Sequence, residues 1–186
     1  TPKPSSAASD VYKRQTKEEA TKAFEKGYEH YLKTTSSSKA AAGLTPKAPV
    51  GKPIWESLCV DAACSGNPGN MEYRGVYPPT MQEIFRIGPL KKGTNNIGEF
   101  LALVHGLALL KQKGSSLPIY SDSRNAIGWV KKKKCKTLLE RVPENEPIFD
   151  MIERAEKWLK TNTYTTPILK WETSEWGEIP ADFGRK

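Results

Sequence analysis

Four acidic residues are the side chains of this sequence best suited to chemistry, and Asp61 is the most unusual of them. It interrupts the apolar run of residues 58–63, which is typical of a strand buried on both faces. Burying an unpaired carboxylate is costly, so an acid at this position needs a partner, and a metal ion is the strongest one available. The simpler alternative is an aspartate at a strand end that caps the following turn.

The other three acids lie far apart in the chain. Glu99 falls in the first turn of a long apolar helix, Asp122 follows a short apolar strand, and Asp182 lies near the C-terminus. Each also allows a simpler role, since acids favour helix starts and Asp122, between two serines, could cap the next helix. Together the four form a candidate set for one site.

Four carboxylates in one cleft would repel one another, and two hard divalent cations would relieve that repulsion. Oxygen-only ligands select Mg²⁺, with Mn²⁺ able to substitute, over the softer metals that prefer His or Cys. Two such ions about 4 Å apart are the usual clamp for phosphodiester hydrolysis. If the four acids share one cleft, they are suited to a two-metal site of this kind.

With the motifs around these acids, the sequence resembles type 1 ribonuclease H from about residue 56 to residue 186. The matching residues are Asp61 with Cys64-Ser65-Gly66-Asn67-Pro68-Gly69, Thr94-Asn95-Asn96 with Glu99, Ser121-Asp122-Ser123, and Ala181-Asp182. The resemblance implies a ribonuclease H-like α/β fold, in which helices flank a five-stranded mixed sheet. It also implies an endonuclease that hydrolyses the RNA strand of RNA–DNA hybrids and leaves 5′-phosphate and 3′-hydroxyl ends.

The resemblance also implies roles for individual residues. Asp61 would bridge both ions, Glu99 and Asp122 would lie on the leaving-group side, and Asp182 on the nucleophile side. Where the family usually carries a histidine before the last acid, this sequence offers only glutamates. The positions expected to contact substrate are Cys64, Ser65, Gly66, Asn67, Thr94, Asn95, Asn96, Trp129, Lys131, Lys132, Lys133 and Lys134. For Asn95 and Asn96, the alternative is that they cap the helix.

The elements that must position these residues can be predicted from hydrophobic periodicity. The pattern predicts a helix over 96–113 and a strand at 118–121 that leads directly into a helix over 123–133. This order implies parallel pairing of the first and fourth strands, with a site beyond their carboxyl ends. The remaining predictions are strands at 57–64, 73–77, 83–87 and 167–171 and a helix over 147–159.

The densest positive charge is the run Lys131–Lys134. Like charges at helical spacing repel, so the run weakens its own helix unless an anion offsets it. It could be a solvated face. The resemblance instead implies a basic handle that grips the DNA strand of a hybrid, with Trp129 packed beneath it.

Composition separates the N-terminal region from the rest. Residues 1–15 are rich in Pro, Ser, Ala and Lys and are predicted to be disordered, and 33–53 form a flexible linker. The helix predicted over 16–32 resembles the last helix of the viroplasmin-like hybrid-binding domain found before many type 1 ribonucleases H. Residues 54–186 would then be the catalytic domain.

The overall charge supports a polyanionic partner. The 186 residues carry 29 Lys and Arg against 21 Asp and Glu, a formal net charge of +8. No apolar run reaches the roughly 18 residues of a membrane helix. Three cysteines without zinc spacing suggest free thiols and a cytoplasmic location. We expect a monomer that binds RNA–DNA hybrid and no membrane; the competing hypotheses are a non-catalytic hybrid-binding protein and a DNA-cutting relative on the same fold.

Overall fold

The computed structural model describes residues 51–185. The predicted disordered head, the predicted 16–32 helix and most of the predicted 33–53 linker lie outside the described residues. Within 51–185 the chain forms one five-stranded sheet with the order β3-β2-β1-β4-β5. The strands are β1 (Leu58–Cys64), β2 (Gly69–Tyr77), β3 (Gln82–Gly93), β4 (Ile119–Ser121) and β5 (Ile168–Lys170).

The helices in the described part begin and end close to the predicted boundaries. They are α1 (Asn95–Gln112), α2 (Arg124–Lys131), α3 (Glu146–Thr161) and the single turn α4 (Thr173–Trp176), with a short 3₁₀ turn at Pro143–Asn145. The predicted 123–133 helix is shorter than expected: it ends at Lys131, and Lys133 has φ 54°. None of the described helices is long and apolar enough to cross a membrane.

The sheet is mixed, as predicted. β1 pairs antiparallel with β2, and it pairs parallel with β4 through Leu58↔Ile119 and Cys59↔Tyr120. Because β1 and β4 run parallel, their carboxyl ends lie at the same edge of the sheet. β4 also pairs parallel with β5. Asp61 lies near that edge on β1, and Asp122 directly follows the last residue of β4.

The two faces of β1 pack against different parts of the chain. Leu58, Val60 and Ala62 belong to the larger core, which also contains the buried residues of α1. The opposite face carries Cys59, which clusters with buried residues of β2, β4 and the C-terminal segment: Val76, Tyr120, Trp171, Ile179 and Ala181. The second cluster holds the segment before Asp182 against the sheet.

Helix α1 approaches β1 closely because glycines face the sheet. It starts at Thr94, whose side chain accepts a hydrogen bond from the Ile97 N–H, and it ends before Gly114 at φ 62°. A Cβ on Gly98 would lie 2.7 Å from the Ala62 Cβ, and one on Gly106 would lie 2.4 Å from the Ile119 side chain. This close packing fixes where the first turn of α1, and with it Glu99, meets the sheet.

Gly98→Ala should therefore destabilise the protein by about 1–3 kcal/mol, because the added methyl group overpacks the contact between α1 and β1. Gly128→Ala is the matched control, since its Cβ would meet nothing within 4 Å inside helix α2. Gly128→Ala should raise the free energy of unfolding by up to about 1 kcal/mol, because alanine has a higher helix propensity than glycine. Urea denaturation measures both; equal stability of the two variants would contradict the close packing.

Candidate metal centre and nucleic-acid groove

Three of the four predicted acids converge at the carboxyl edge of the sheet. One carboxylate oxygen each from Asp61, Glu99 and Asp122 lies within 4.8 Å of the other two. β1 supplies the first, the first turn of α1 the second, and the residue after β4 the third. Residues 61, 99 and 122 are thus brought together by the parallel pairing of β1 with β4 and the packing of α1 on β1.

Burial dominates the electrostatics of Asp61. Its side chain is 7% exposed. Burial, followed by repulsion from Asp122, raises the pKa of Asp61 from 3.8 to about 8, with smaller contributions from Glu99 and Asp182. A carboxyl with so high a pKa is unfavourable in its ionised form unless a cation compensates it.

Glu99 occupies a similar environment but has hydrogen-bond donors. Burial raises the pKa of Glu99 to about 7; a hydrogen bond from the Ser123 side chain opposes that rise, and repulsion from Asp122 adds to it. The Asn95 side-chain amide also donates to Glu99 Oε1 at 2.9 Å. Ser123 in turn caps α2 by accepting from the Ala126 N–H at 3.1 Å. The Glu99 carboxylate is thereby fixed in orientation by residues of both helices.

The donor set fits a hard divalent cation. All three converging ligands are carboxylates, without a histidine or cysteine among them, and oxygen donors favour Mg²⁺, Mn²⁺ or Ca²⁺. A bound cation would offset both the burial and the repulsion that raise the pKa of Asp61. A cleft of about 390 Å³ opens beside Asp61; we call it the acid cleft, and it is lined by Asp61, Ala62, Ala63, Cys64, Ser65, Asn95, Asp182, Phe183 and Arg185.

Asp182 lies at this cleft but apart from the three clustered acids. It lines the acid cleft together with Asp61 and contributes to the repulsion on it, yet it is not in the group within 4.8 Å. Its Oδ2 accepts a hydrogen bond from the Gly184 N–H at 2.8 Å. Residues 177–185 that carry it contain no helix or strand, so other contacts must hold this acid in place.

Most of the residues expected to contact substrate line one of two depressions, whereas Gly66 and Lys131–Lys134 line neither. Cys64, Ser65 and Asn95 line the acid cleft. A second depression of about 600 Å³, which we call the side groove, is lined by Asn67, Pro68, Thr94, Asn96, Trp129, Lys136, Thr137, Leu138, Leu139 and Glu140. The β1–β2 turn and the start of α1 thus contribute to both depressions.

The local structure of these segments explains their shape. Ser65 closes the β1–β2 turn by accepting from the Asn70 N–H at 3.0 Å. Gly66 and Gly69 lie so close that a Cβ on Gly69 would be 2.5 Å from the Gly66 nitrogen. Thr94 caps α1, and Asn95 holds Glu99 rather than acting only as a cap.

The lysine run lies at the end of α2 and is exposed at all four positions, Lys131 to Lys134. Lys134 is already engaged by Glu156 at 2.9 Å. Trp129, just before the run, packs edge-on against Phe100 and lines the side groove. Lys136 lines the same groove and contributes a positive charge to it.

A cluster of three arginines beside the acid cleft was not predicted from the sequence. Arg74 on β2 and Arg86 on β3 bond Glu83 and Glu72, and Arg185 pairs with Glu72. All three guanidinium groups lie 4.8–5.6 Å from the centre of the Phe183 ring. The available signal was the alternation of opposite charges, Glu72 and Arg74 on one strand and Glu83 and Arg86 on the next.

Comparison with known proteins shows the family to which the chain belongs. The sequence model of the RNase H family matches residues 56–170. The chain is similar to a ribonuclease H from Rhodopirellula baltica, at 41% identity over 75 residues (39% of this chain, 46% of the relative). It is also similar to one from Rippkaea orientalis, at 33% over 102 residues (52% and 62%). The chain thus spans about half the length of these relatives.

Solved RNase H1 structures are similar to this chain at low sequence identity and low TM-score. RNase H1 from Halobacterium salinarum has 19% identity and a TM-score of 0.40, covering 63% of this chain and 86% of that one. LC11-RNase H1 in complex with an RNA/DNA hybrid has 18% identity and a TM-score of 0.38, covering 63% and 85%. The assignment rests on the match over 56–170: this chain belongs to the RNase H family.

The raised pKa values predict how the metal-free protein responds to pH. The folded-state pKa of Asp61, about 8, lies above its ordinary value of 3.8, so the folded protein binds this proton more tightly than the unfolded chain. The stability that the protonated Asp61 contributes is fully present below about pH 4 and is lost as the pH rises through about 8. Asp61→Asn should flatten this decline and raise the melting temperature at pH 8, measured by thermal unfolding in EDTA.

The exposed Asp150→Asn variant is the control and should leave the pH dependence unchanged. A lower melting temperature for Asp61→Asn at pH 8 would instead show that the Asp61 carboxylate stabilises the fold.

Proposed function

We propose that this protein is an endonuclease that hydrolyses the RNA strand of RNA–DNA hybrids with the help of two Mg²⁺ ions, leaving 5′-phosphate and 3′-hydroxyl ends. The observation that carries the proposal is the convergence of Asp61, Glu99 and Asp122 within 4.8 Å, in a chain of the RNase H family. Curated relatives in the same family are named ribonuclease H, which supports the same activity.

In this proposal the four acids have distinct roles. Asp61, which belongs to the cluster and also lines the acid cleft with Asp182, would help to hold both ions. Glu99 and Asp122 would act on the leaving-group side and Asp182 on the nucleophile side. The bound ions would supply an activated water and stabilise the leaving oxygen. Asn95 and Ser123 would keep the Glu99 carboxylate oriented, through the hydrogen bonds already described.

The two depressions would receive the two strands. The acid cleft would hold the RNA strand, with Ser65 and Asn95 beside its 2′-hydroxyl groups, the feature by which proteins tell RNA from DNA. The side groove would hold the DNA strand between Thr94, Trp129 and the basic residues after α2. A monomeric state and a cytoplasmic location remain predictions from the sequence.

The first test is cleavage of a hybrid labelled on each strand, in Mg²⁺, Mn²⁺ and EDTA. We expect metal-dependent cutting of the RNA strand alone, and a loss of at least about 10³-fold in Asp61→Asn with binding retained, because that change removes a metal ligand and leaves the lysines at the end of α2 in place. Matched double-stranded DNA is the control. Tight hybrid binding without cutting in either metal would favour the non-catalytic alternative, and cutting of duplex DNA would favour the DNA-cutting one.

A second test concerns the exposed lysines at the end of α2. Changing Lys131 and Lys132 together to Ser should weaken hybrid binding and lower the salt slope of log K by roughly 2, because each lysine that contacts a phosphate releases about one counterion. kcat at saturating hybrid should stay unchanged. Changing the exposed Lys157 and Lys160 of α3 to Ser removes the same charge elsewhere. Equal losses in the two double variants would contradict a local handle.

A further inference from the structure

The backbone at Asp182 is held by one side chain from the sheet, Arg74. Its Nε donates to the Ala181 carbonyl at 2.8 Å and its Nη2 to the Asp182 carbonyl at 2.5 Å. The remaining nitrogen, Nη1, donates to Glu83 Oε2 at 3.1 Å, which fixes the guanidinium plane from the other side. Three different nitrogens of one side chain are therefore used, two of them on the segment that carries the fourth acid.

The register of the sheet ties this arginine to the metal centre. Arg74 on β2 is the direct antiparallel partner of Asp61 on β1. Side chains at directly paired positions point to the same face of a sheet, so Asp61 and Arg74 leave the sheet side by side. Arg74, which donates hydrogen bonds to the backbone at Asp182, therefore lies on the strand next to Asp61.

Besides its partner Glu83, Arg74 contacts the backbone or side chains of residues 181–183. The Arg74 guanidinium lies 4.8 Å from the centre of the Phe183 ring, the residue after Asp182. The segment before it is anchored independently, since Ile179 and Ala181 are buried in the second cluster and the Asp182 N–H donates to the Ile179 carbonyl at 2.8 Å. What remains for Arg74 to determine is the direction of the chain at Asp182.

We propose that Arg74 is a positioning residue for Asp182, and that its two hydrogen bonds to the Ala181 and Asp182 carbonyls keep the Asp182 carboxylate at the acid cleft. The inference deepens the proposed function and rests on it only for the effect on cleavage. Lysine is a poor substitute, because an ammonium on a flexible stem lacks the rigid fork that reaches two successive carbonyls and a carboxylate.

The first readout is hydrogen exchange of the full, metal-free chain, which requires no activity. In Arg74→Ala, amides of residues 181–185 should exchange about tenfold faster or more, because hydrogen bonds from a charged group are lost. The Gly184 N–H, bonded to the Asp182 carboxylate, is the most direct reporter. Arg154→Ala removes an exposed arginine on α3 and should leave this exchange unchanged. Unchanged exchange in Arg74→Ala would overturn the proposal, as would full recovery in Arg74→Lys.

The second readout is a double-mutant cycle on Mn²⁺ affinity, measured by calorimetry. Arg74→Ala should weaken Mn²⁺ binding about 10–100-fold in the wild-type background, the range typical of residues that orient metal ligands. In an Asp182→Asn background the same change should have no further effect, because the carboxylate it positions is gone. An equal loss in both backgrounds would show a general structural role and overturn the proposal.

Cleavage then separates this inference from the proposed function. Arg74→Ala should lower kcat about 10–100-fold with KM unchanged, since the side groove is untouched. If the wild-type chain fails to cut hybrid while exchange and Mn²⁺ affinity change as expected, the proposed function fails and the positioning role stands. If the wild type cuts and Arg74→Ala matches it in kcat, the positioning role fails alone.

Discussion

Repulsion among buried carboxylates is the physical constraint on which the rest of this structure depends. Asp61, Glu99 and Asp122 meet within 4.8 Å, and burial with mutual repulsion raises the pKa of Asp61 to about 8. Such an arrangement destabilises the empty fold, so the surrounding structure must hold it in place. The close packing of α1 on β1 through Gly98 and the parallel pairing of β1 with β4 provide that support.

Much of this could be predicted from the sequence because the relevant signals are local. Asp61 interrupts an apolar run, while Glu99 in the first turn of a helix and Asp122 at a strand end each mark an element terminus. The strand–helix–strand order brings these segments to one edge of the sheet. The predicted boundaries of most elements lie within a few residues of the observed ones. Strands β2 and β3 are longer than predicted, because their outer residues pair in the sheet without strong apolar alternation. Ending α2 at Lys131 was missed, because four consecutive lysines give no periodic signal.

The position of Asp182 and its supports could not be predicted in the same way. Residues 177–185 have no regular structure, so no periodicity determines where this acid lies. Its placement depends on burial of Ile179 and Ala181 against the second face of the sheet and on bonds from Arg74, about 107 positions earlier in the chain. An arginine on a strand that alternates with acidic neighbours is typical of a solvated face, and only the register with Asp61 shows otherwise.

The separation of charge has a consequence for how binding of metal and of nucleic acid would be coupled. A polyanion that approaches the acid cleft meets several carboxylates at once, and this repulsion opposes binding until cations neutralise them. The exposed lysines at the end of α2 do not line the acid cleft and would attract the same polyanion from outside it. Arg185 also lines the acid cleft, where it is paired with Glu72. A phosphate backbone held by the lysines would therefore raise the affinity of the cleft for cations, and bound cations would raise the affinity for the backbone, because linkage between two ligands is reciprocal.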